Sequence, residues 1–285
     1  MTISAIRRRD FMKAGGIGMA AASFKLPLGG PGSRGGLAVP GTGAGFQIGM
    51  ASYTLRKFSL EDAVAMTRRL GLKRIALKSM HLPLESGEDA IKAAAGRVRD
   101  AGLDLYGCGV VYMADEEEAR RAFRYARAAG MKMIIGVPDH RLLGLVDKLV
   151  RETGLSLAIH NHGPGDERYP TPESVHDRIK GLDSRIGLCL DVGHTARSGV
   201  DPSEAAEKYA GRLHDVHIKD VDKAAAEGVT VEIGRGIIDI PRFLKTLLRI
   251  RYSGTAAIEY EKDEEDPLPG CAESVGYLRG VLAAL

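Results

Sequence analysis

The stretch 185-RIGLCLDVGH-194 places an acidic residue and an imidazole directly after a short apolar run. The run at 186–190 has the length and apolar character of a strand that is buried on both faces of a parallel sheet. Three more apolar runs end in the same way: 155–159 is followed by His160, 213–216 by His217 and 255–258 by Glu259. Side chains at the carboxyl ends of successive parallel strands meet on one face, which is where active sites of such sheets lie. The sequence therefore predicts a shared site at these strand ends.

From Phe46 onward, short apolar runs alternate with longer amphipathic segments, a pattern typical of repeated strand–helix units. The predicted strands are 47–51, 74–77, 104–110, 132–137, 156–159, 186–190, 213–218 and 255–258. The predicted helices are 60–70, 88–101, 116–129, 139–153, 172–180, 202–209, 240–248 and 273–282. The first strand is not followed by the glycine-rich turn of a dinucleotide-binding sheet. The pattern predicts a closed (β/α)8 TIM barrel that forms a single domain over residues 46–285.

Residues 1–45 have a different composition and are predicted to be a signal peptide and linker. Arg8-Arg9-Asp10-Phe11-Met12-Lys13 resembles the twin-arginine export signal, and a weakly apolar segment and a Gly/Pro-rich tract follow it. The apolar segment is too short to remain as a membrane anchor after cleavage. We expect a periplasmic location, with a disordered cytoplasmic tail as the alternative.

The formal charge of +3 is unevenly distributed along the 285 residues. Residues 1–44 contain six basic side chains and one acidic side chain, a net charge of +5, which leaves about −2 for the remainder. A nearly neutral body gives no support for nucleic-acid binding. The three cysteines have neither the spacing of a metal finger nor that of a disulfide framework.

The residue types at the strand ends favour a divalent metal. Asp191, His217 and Glu259 combine carboxylates with an imidazole, and His160 or His162 could add another ligand from the fifth strand. The alternatives are a buried structural role for each residue and, for the two fifth-strand imidazoles, hydrogen bonding to a sugar. His194 could hold Asp191 in place or contact substrate.

Further polar residues are predicted near the same face. Strand alternation puts Lys219 on the side of His217, as a cation near developing negative charge or as a surface ion-pair partner. Glu261 lies on the side of Glu259, one step further into the loop, and no role is assigned to it. Four residues that follow strands could bind substrate oxygens or remain solvated: Lys78, His81, Tyr112 and Arg235.

Several motifs together resemble the xylose isomerase-like TIM-barrel superfamily, the sugar phosphate isomerase/epimerase group. They are Asp191-Val-Gly-His194, His217-Ile-Lys-Asp220, Gly234-Arg-Gly236 with Ile238-Asp239-Ile240, and Tyr252-Ser-Gly254 running into Ile258-Glu259. The resemblance implies a metal held by residues of strands five to eight, the last three being Asp191, His217 and Glu259. Members often have Glu-Asn-His where this chain has His160-Asn161-His162, so His160 takes the place of a glutamate. A second imidazole favours Mn, Co, Fe or Zn over Mg.

The resemblance also implies an activity: isomerisation or epimerisation of a sugar or keto-sugar through a metal-stabilised ene-diolate. Glu259, His160 and Lys219 are the candidate catalytic residues, and His162, His194, Lys78, His81, Tyr112 and Arg235 are candidates for substrate binding. The alternative is a lyase or hydratase acting on 3-keto-glycosides or polyols. The missing second glutamate and the export signal keep this alternative open. Because phosphorylated sugars are scarce outside the cytoplasm, we do not expect a phosphate-specific substrate.

Two other classes share this barrel. An endonuclease IV-like nuclease is disfavoured because its metal cluster needs an Asp-x-His element after the seventh strand, which this sequence does not have. A non-catalytic sugar-binding barrel is the remaining class. The expected partner is a small-molecule sugar, with no nucleic acid and no lasting membrane anchor, and homo-oligomerisation is left open.

Overall fold

Eight parallel strands close into a barrel in the computed structural model, which describes residues 45–285. Their order around the barrel is that of the chain, and the last strand pairs with the first. The barrel strands are β1 (Gln47–Ala51), β2 (Arg74–Leu77), β3 (Asp104–Met113), β4 (Met133–Pro138), β5 (Ser156–His160), β6 (Ile186–Asp191), β7 (Leu213–Ile218) and β10 (Thr255–Ile258). Between β7 and β10, the chain forms an antiparallel hairpin of β8 (Asp220–Val221) and β9 (Thr230–Val231). The predicted TIM-barrel fold is confirmed.

Helices connect the strands and pack around the barrel. They are α1 (Leu60–Arg69), α2 (Glu88–Asp100), α3 (Glu116–Ala128), α4 (Leu143–Thr153), α5 (Pro172–Ile179), α6 (Val192–Arg197), α7 (Pro202–Lys208), α8 (Ile240–Arg249) and α9 (Leu268–Ala284). Two of the starts follow from local chemistry: Ser59 accepts a hydrogen bond from the Asp62 N–H, and Asp201 accepts from Ser203 and Glu204. Such caps satisfy backbone N–H groups that the first turn of a helix leaves free.

The observed elements differ from the predicted ones mainly at the carboxyl mouth of the barrel. The short helix α6 and the hairpin β8–β9 were not predicted. The segment predicted as one helix over 139–153 begins instead with a 3₁₀ turn at His140–Leu142. The last helix begins five residues earlier than predicted, at Leu268. These corrections concern loops whose local sequence has no strong periodicity, so tertiary contacts decide their conformation.

The core is built from aliphatic and small side chains, which line the barrel and the inner faces of the helices. Close approach of strands is visible at Gly187 in β6, where an added Cβ would overlap the carbonyl oxygen of Arg212. The tight packing of β6 against β7 brings Asp191 and His217 into register.

The predicted export signal and linker, residues 1–45, lie outside the described residues apart from Gly45. Between Gly45 and Leu285, none of the helices combines the length and the apolar character needed to cross a membrane.

Candidate metal centre

Four polar side chains meet at the carboxyl mouth of the barrel. His160 ends β5, Asp191 ends β6, His217 lies one residue before the end of β7, and Glu259 directly follows β10. All four are buried, and each offers one ligand atom within 4.8 Å of the others. The structure thus brings together the four residues that were expected to be metal ligands.

The distances within this cluster place potential ligand atoms against one another. His160 Nε2 lies 3.1 Å from His217 Nδ1 and 3.3 Å from Asp191 Oδ2. Glu259 Oε2 lies 3.1 Å from His217 Nδ1. Asp191 Oδ2 is buried and makes no hydrogen bond to any residue in the described part of the chain. Two imidazoles and two carboxylates are a donor set that divalent transition metals prefer, so these residues fit such an ion.

Asp191 is held by its own helix and by the preceding loop. Its Oδ1 accepts a hydrogen bond of 2.7 Å from the His194 N–H, which caps α6. The Asn161 side chain accepts the Asp191 N–H at 3.0 Å, and the Thr195 hydroxyl donates to the Asp191 carbonyl oxygen at 2.6 Å. Because the helix cap engages one carboxylate oxygen, the other is left to face the cluster.

Lys219 is a buried cation inside the same site. Its Nζ lies 3.0 Å from Asp191 Oδ2 and 2.9 Å from Glu259 Oε2, and it also pairs with Glu261. Burial opposes the charge, but the three carboxylates outweigh burial and raise the pKa of Lys219 well above its ordinary value. The alternative of a surface ion pair is therefore wrong. Three carboxylates against one ammonium leave an excess of negative charge that suits a divalent cation.

The surroundings lower the pKa values of the two carboxylates and raise the pKa of His160. Burial alone would raise the pKa of Asp191 and Glu259, but Lys219 and neighbouring imidazoles hold both pKa values well below the usual range. Burial also disfavours the charged form of His160, yet the attraction of Asp191 and Glu259 raises its pKa to about 9. In the metal-free protein at neutral pH, a proton on His160 therefore partly balances the carboxylates.

This arrangement predicts that metal and proton compete for His160. Because the neutral imidazole is the ligand, binding at about pH 7.5 should release about one proton per metal ion. Apparent affinity should rise with pH and level off as the pH passes the His160 pKa of about 9. Titration calorimetry in two buffers of different ionisation enthalpy measures the released protons. His160→Gln is the control and should release fewer; equal release by both proteins would contradict the prediction.

A cavity of about 230 Å³ opens above the cluster and extends to the barrel mouth. Its lining comprises Tyr53, Lys78, Val110, Tyr112, His160, His162, His194, Glu259 and Glu261. Four of the six residues predicted to bind substrate, namely Lys78, Tyr112, His162 and His194, therefore face this cavity. Within residues 45–285, no arginine belongs to its lining.

Two of the three imidazoles that line the cavity, those of His162 and His194, are shifted toward the neutral form. Burial lowers the pKa of His162 to about 2 and that of His194 to about 4, with nearby cations adding to the effect. His162 Nε2 lies 2.9 Å from the Tyr112 hydroxyl at the mouth. Neutral imidazoles and a phenol both donate and accept hydrogen bonds, as recognition of hydroxyl groups requires.

Lys78 adds a cation to the lining of the cavity. Its Nζ donates to the Val110 carbonyl oxygen and lies 5.4 Å from the centre of the Tyr112 ring. Burial lowers the pKa of Lys78, while Glu259 acts in the opposite direction. The side chain is thus placed to donate to an oxygen of a bound molecule.

Two residues predicted to bind substrate lie outside the cavity. Both ring nitrogens of His81 are engaged, with Ser52 Oγ at 2.9 Å and the Leu55 carbonyl oxygen at 3.0 Å. Arg235 is turned outward and pairs with Glu273. These positions correct the expectation for both residues: His81 braces the loop after β1, and Arg235 joins a loop to α9.

Sequence reasoning missed two polar residues of the cavity. Tyr53 was not singled out, since the 3₁₀ turn after β1 that carries it has no distinctive pattern. Glu261 was left without a role, although strand alternation had already placed it on the side of Glu259. Asp220 proves to be structural, because its carboxylate accepts hydrogen bonds from the backbone N–H groups of Val221, Gly234, Gly236 and Ile238.

The fold and the site together define a closed parallel TIM barrel with imidazoles and carboxylates clustered at its carboxyl mouth. The chain belongs to the family described as xylose isomerase-like TIM barrel, whose model matches residues 64–281. The family resemblance found in the sequence is thereby confirmed. The predicted twin-arginine signal stays a prediction.

The curated relatives that the chain resembles include a rhizopine catabolism protein and inosose dehydratases. The chain is 31% identical over 152 residues to the rhizopine catabolism protein MocC of Rhizobium meliloti, covering 48% of this chain and 46% of that protein. It is 31% identical over 138 residues to an inosose dehydratase of Bacillus velezensis, covering 42% and 45%. The matches span slightly less than half the length of these relatives.

Solved structures share the fold. An IolI protein with a bound zinc atom has a TM-score of 0.69 at 16% identity, covering 84% of this chain and 98% of its own. An L-ribulose 3-epimerase has a TM-score of 0.67 at 20% identity, covering 84% and 95%. At these identities the likeness establishes the fold alone.

Proposed function

We propose that this protein is a divalent-metal-dependent enzyme that removes a proton next to the carbonyl group of a free keto-sugar or keto-polyol. The observation that carries the proposal is the cluster of His160, Asp191, His217 and Glu259 beneath a cavity lined by groups that bind hydroxyls. A bound divalent cation would supply Lewis acidity at the substrate carbonyl. Mn, Co, Fe and Zn suit the two imidazoles better than Mg.

The residues of the chain have distinct parts in this reaction. Glu259 is ionised, reaches the cavity and is the base that we assign to the carbon-bound proton. Lys219 keeps Glu259 and Asp191 ionised and offsets the negative charge that develops on the substrate. Lys78, His162 and Tyr112 orient the substrate through its oxygens. Since arginine is missing from the cavity lining in the described chain, an unphosphorylated substrate fits better.

The sequence placed isomerisation or epimerisation first, but the number of bases in the site favours loss of water over epimerisation. Epimerisation through proton transfer needs a base on each face of the substrate. His160 stands in the place of the second glutamate and is buried among the other ligands, so Glu259 is left as the base. Dehydration needs one base and one acid: the C–H electron pair forms a C=C bond, and the β-hydroxyl leaves as water after taking a proton. We assign that proton to the Tyr112 hydroxyl, which lies 2.9 Å from His162 Nε2 and recovers a proton from solvent after the step. The inosose dehydratases among the relatives support the same choice.

Product analysis distinguishes these outcomes. The metal-loaded protein is incubated in deuterated water with an inosose, a free ketose and a 3-keto-glycoside. We expect ultraviolet absorbance of a conjugated enone together with a dehydrated product by NMR. Deuterium incorporation without absorbance would instead establish isomerisation or epimerisation. No change in any substrate would overturn the proposal and leave the non-catalytic sugar-binding barrel.

The predicted periplasmic location is also a proposal. It is supported by Arg8-Arg9 and the linker in the sequence and by a cavity suited to unphosphorylated substrates. Finding the full-length, uncleaved chain only in the cytosol would contradict it.

A further inference from the structure

Asp215 is a buried acid that the proposed reaction does not use. Strand alternation puts Asp215 and His217 on the same, inward side of β7, with Asp215 one layer deeper in the barrel. Its side chain is fully buried. Oδ2 has only long contacts, with the Tyr106 hydroxyl at 3.5 Å and Cys189 Sγ at 3.7 Å, and Oδ1 has no hydrogen-bond partner among residues 45–285. Burying a carboxylate with such weak partners costs folding free energy, which indicates that Asp215 has a role in the site.

The ring of His217 has one nitrogen toward the metal cluster and one toward Asp215. Nδ1 lies 3.1 Å from both Glu259 Oε2 and His160 Nε2. Nε2 lies 3.7 Å from Asp215 Oδ2 and makes no hydrogen bond with any part of the chain that the structure describes. If Nδ1 gives its lone pair to a metal ion, the neutral ring must carry its proton on Nε2, which then needs an acceptor. Asp215 supplies the carboxylate that faces this proton.

We propose that Asp215 is a positioning residue of the metal centre: it accepts the Nε2–H of His217 and thereby fixes the tautomer and orientation that present Nδ1 to the ion. This inference rests on the proposed metal-dependent function. Carboxylates that hold the second nitrogen of a ligating histidine raise its basicity as a ligand. The 3.7 Å separation is longer than a hydrogen bond, so the inference requires Nε2 and Oδ2 to move closer together when the ion binds.

Cys189 offers a competing explanation for the same pocket. Its Sγ, His160 and His217 also lie within 4.8 Å of one another, so they could form a softer metal site. This group offers three ligand atoms, whereas the group of His160, Asp191, His217 and Glu259 offers four, two of them carboxylate oxygens. Cys189 Sγ also lies 3.7 Å from Asp215 Oδ2, so it is placed to donate weakly to that carboxylate. We therefore assign the ion to the four-residue group.

Cobalt titration of the metal-free, full-length protein tests this inference. We expect Asp215→Leu to bind Co²⁺ roughly 10- to 100-fold more weakly than the original protein, with a changed visible spectrum. Asp215→Asn keeps an acceptor oxygen and should fall between the two. Tyr106→Phe is the matched control, because it removes a contact of Asp215 but leaves the group that faces His217; it should bind like the original protein.

The possible results separate the inference from the function on which it rests. Replacing a poorly paired buried acid with leucine should not unfold the barrel, and thermal unfolding of the metal-free variants checks this. Unchanged affinity and spectrum in Asp215→Leu would overturn the inference alone. Equal weakening in Asp215→Leu and Tyr106→Phe would also overturn it, since the loss would then come from general distortion. If the original protein binds no Co²⁺, the proposed function fails first.

Discussion

Asp191→Ala is expected to lose stoichiometric metal and, with it, activity. The substitution removes the oxygen that lies 3.3 Å from His160 Nε2 and 3.0 Å from Lys219 Nζ. Affinity should fall by more than about 100-fold, because changes to groups that merely orient ligands already cost 10- to 100-fold. His217→Ala should behave in the same way, since its Nδ1 faces both Glu259 and His160.

Elemental analysis after dialysis measures the effect. Glu261→Gln is the matched control, because Glu261 lines the cavity and pairs with Lys219 but lies outside the four-residue cluster. Asp191 also caps α6, so circular dichroism must show that the variant remains folded. If Asp191→Ala and His217→Ala both retain one metal ion per chain, the assigned site is wrong.

Lys219→Met is expected to cause the largest loss of stability in the metal-free protein. Lys219 is the cation that faces Asp191, Glu259 and Glu261, and its removal leaves buried carboxylates without it. Breaking a buried pair by removing one partner costs about 3–5 kcal/mol. Methionine has a similar length and fills the same space, so the loss reports charge rather than packing. Bound metal should recover part of it, because the ion replaces the missing positive charge.

The loss of stability in Lys219→Met should depend on pH. Lys219 helps to hold the pKa values of Asp191 and Glu259 below their usual range, so its contribution to stability is present at neutral pH and lost in acid. The difference in free energy of unfolding between variant and original should therefore be similar at pH 7 and pH 5, which both lie above the ordinary pKa values of 3.8 and 4.5, and should shrink only as the pH falls below about 4. Lys208→Met, which breaks an exposed pair with Glu173, is the control and should change stability little. A Lys219→Met protein as stable as this control would contradict the account.

The barrel and the metal cluster were predictable from the sequence for one physical reason. Buried parallel strands are continuous apolar runs, so β6 and β10 stand out, and the polar residue that ends each run must lie at the carboxyl mouth. Asp191, His217 and Glu259 follow directly from this rule. The position of His160 came from the family resemblance, since alternation alone could not separate it from His162.

The remaining features depend on contacts between segments that are distant in the chain. His81 follows β2 as a substrate-binding residue would, but Ser52 and the Leu55 carbonyl oxygen engage both of its nitrogens. Glu261 enters the site because it pairs with Lys219, which lies between β7 and β8. Helix α6 forms where Asp191 caps it, although its six residues are too few for a periodic signal. The local sequence pattern around each residue does not encode such pairings between distant segments.

The most direct test of the central claim is whether proton removal from a keto-polyol depends on a metal at this site. Solvent deuterium incorporation and enone formation are measured with the same protein as purified, after chelation, and after reloading with Mn²⁺ or Co²⁺. The account predicts that chelation abolishes both signals and that one equivalent of metal restores them in the original protein but not in Asp191→Ala. Full activity in chelated protein that contains no metal would contradict the account.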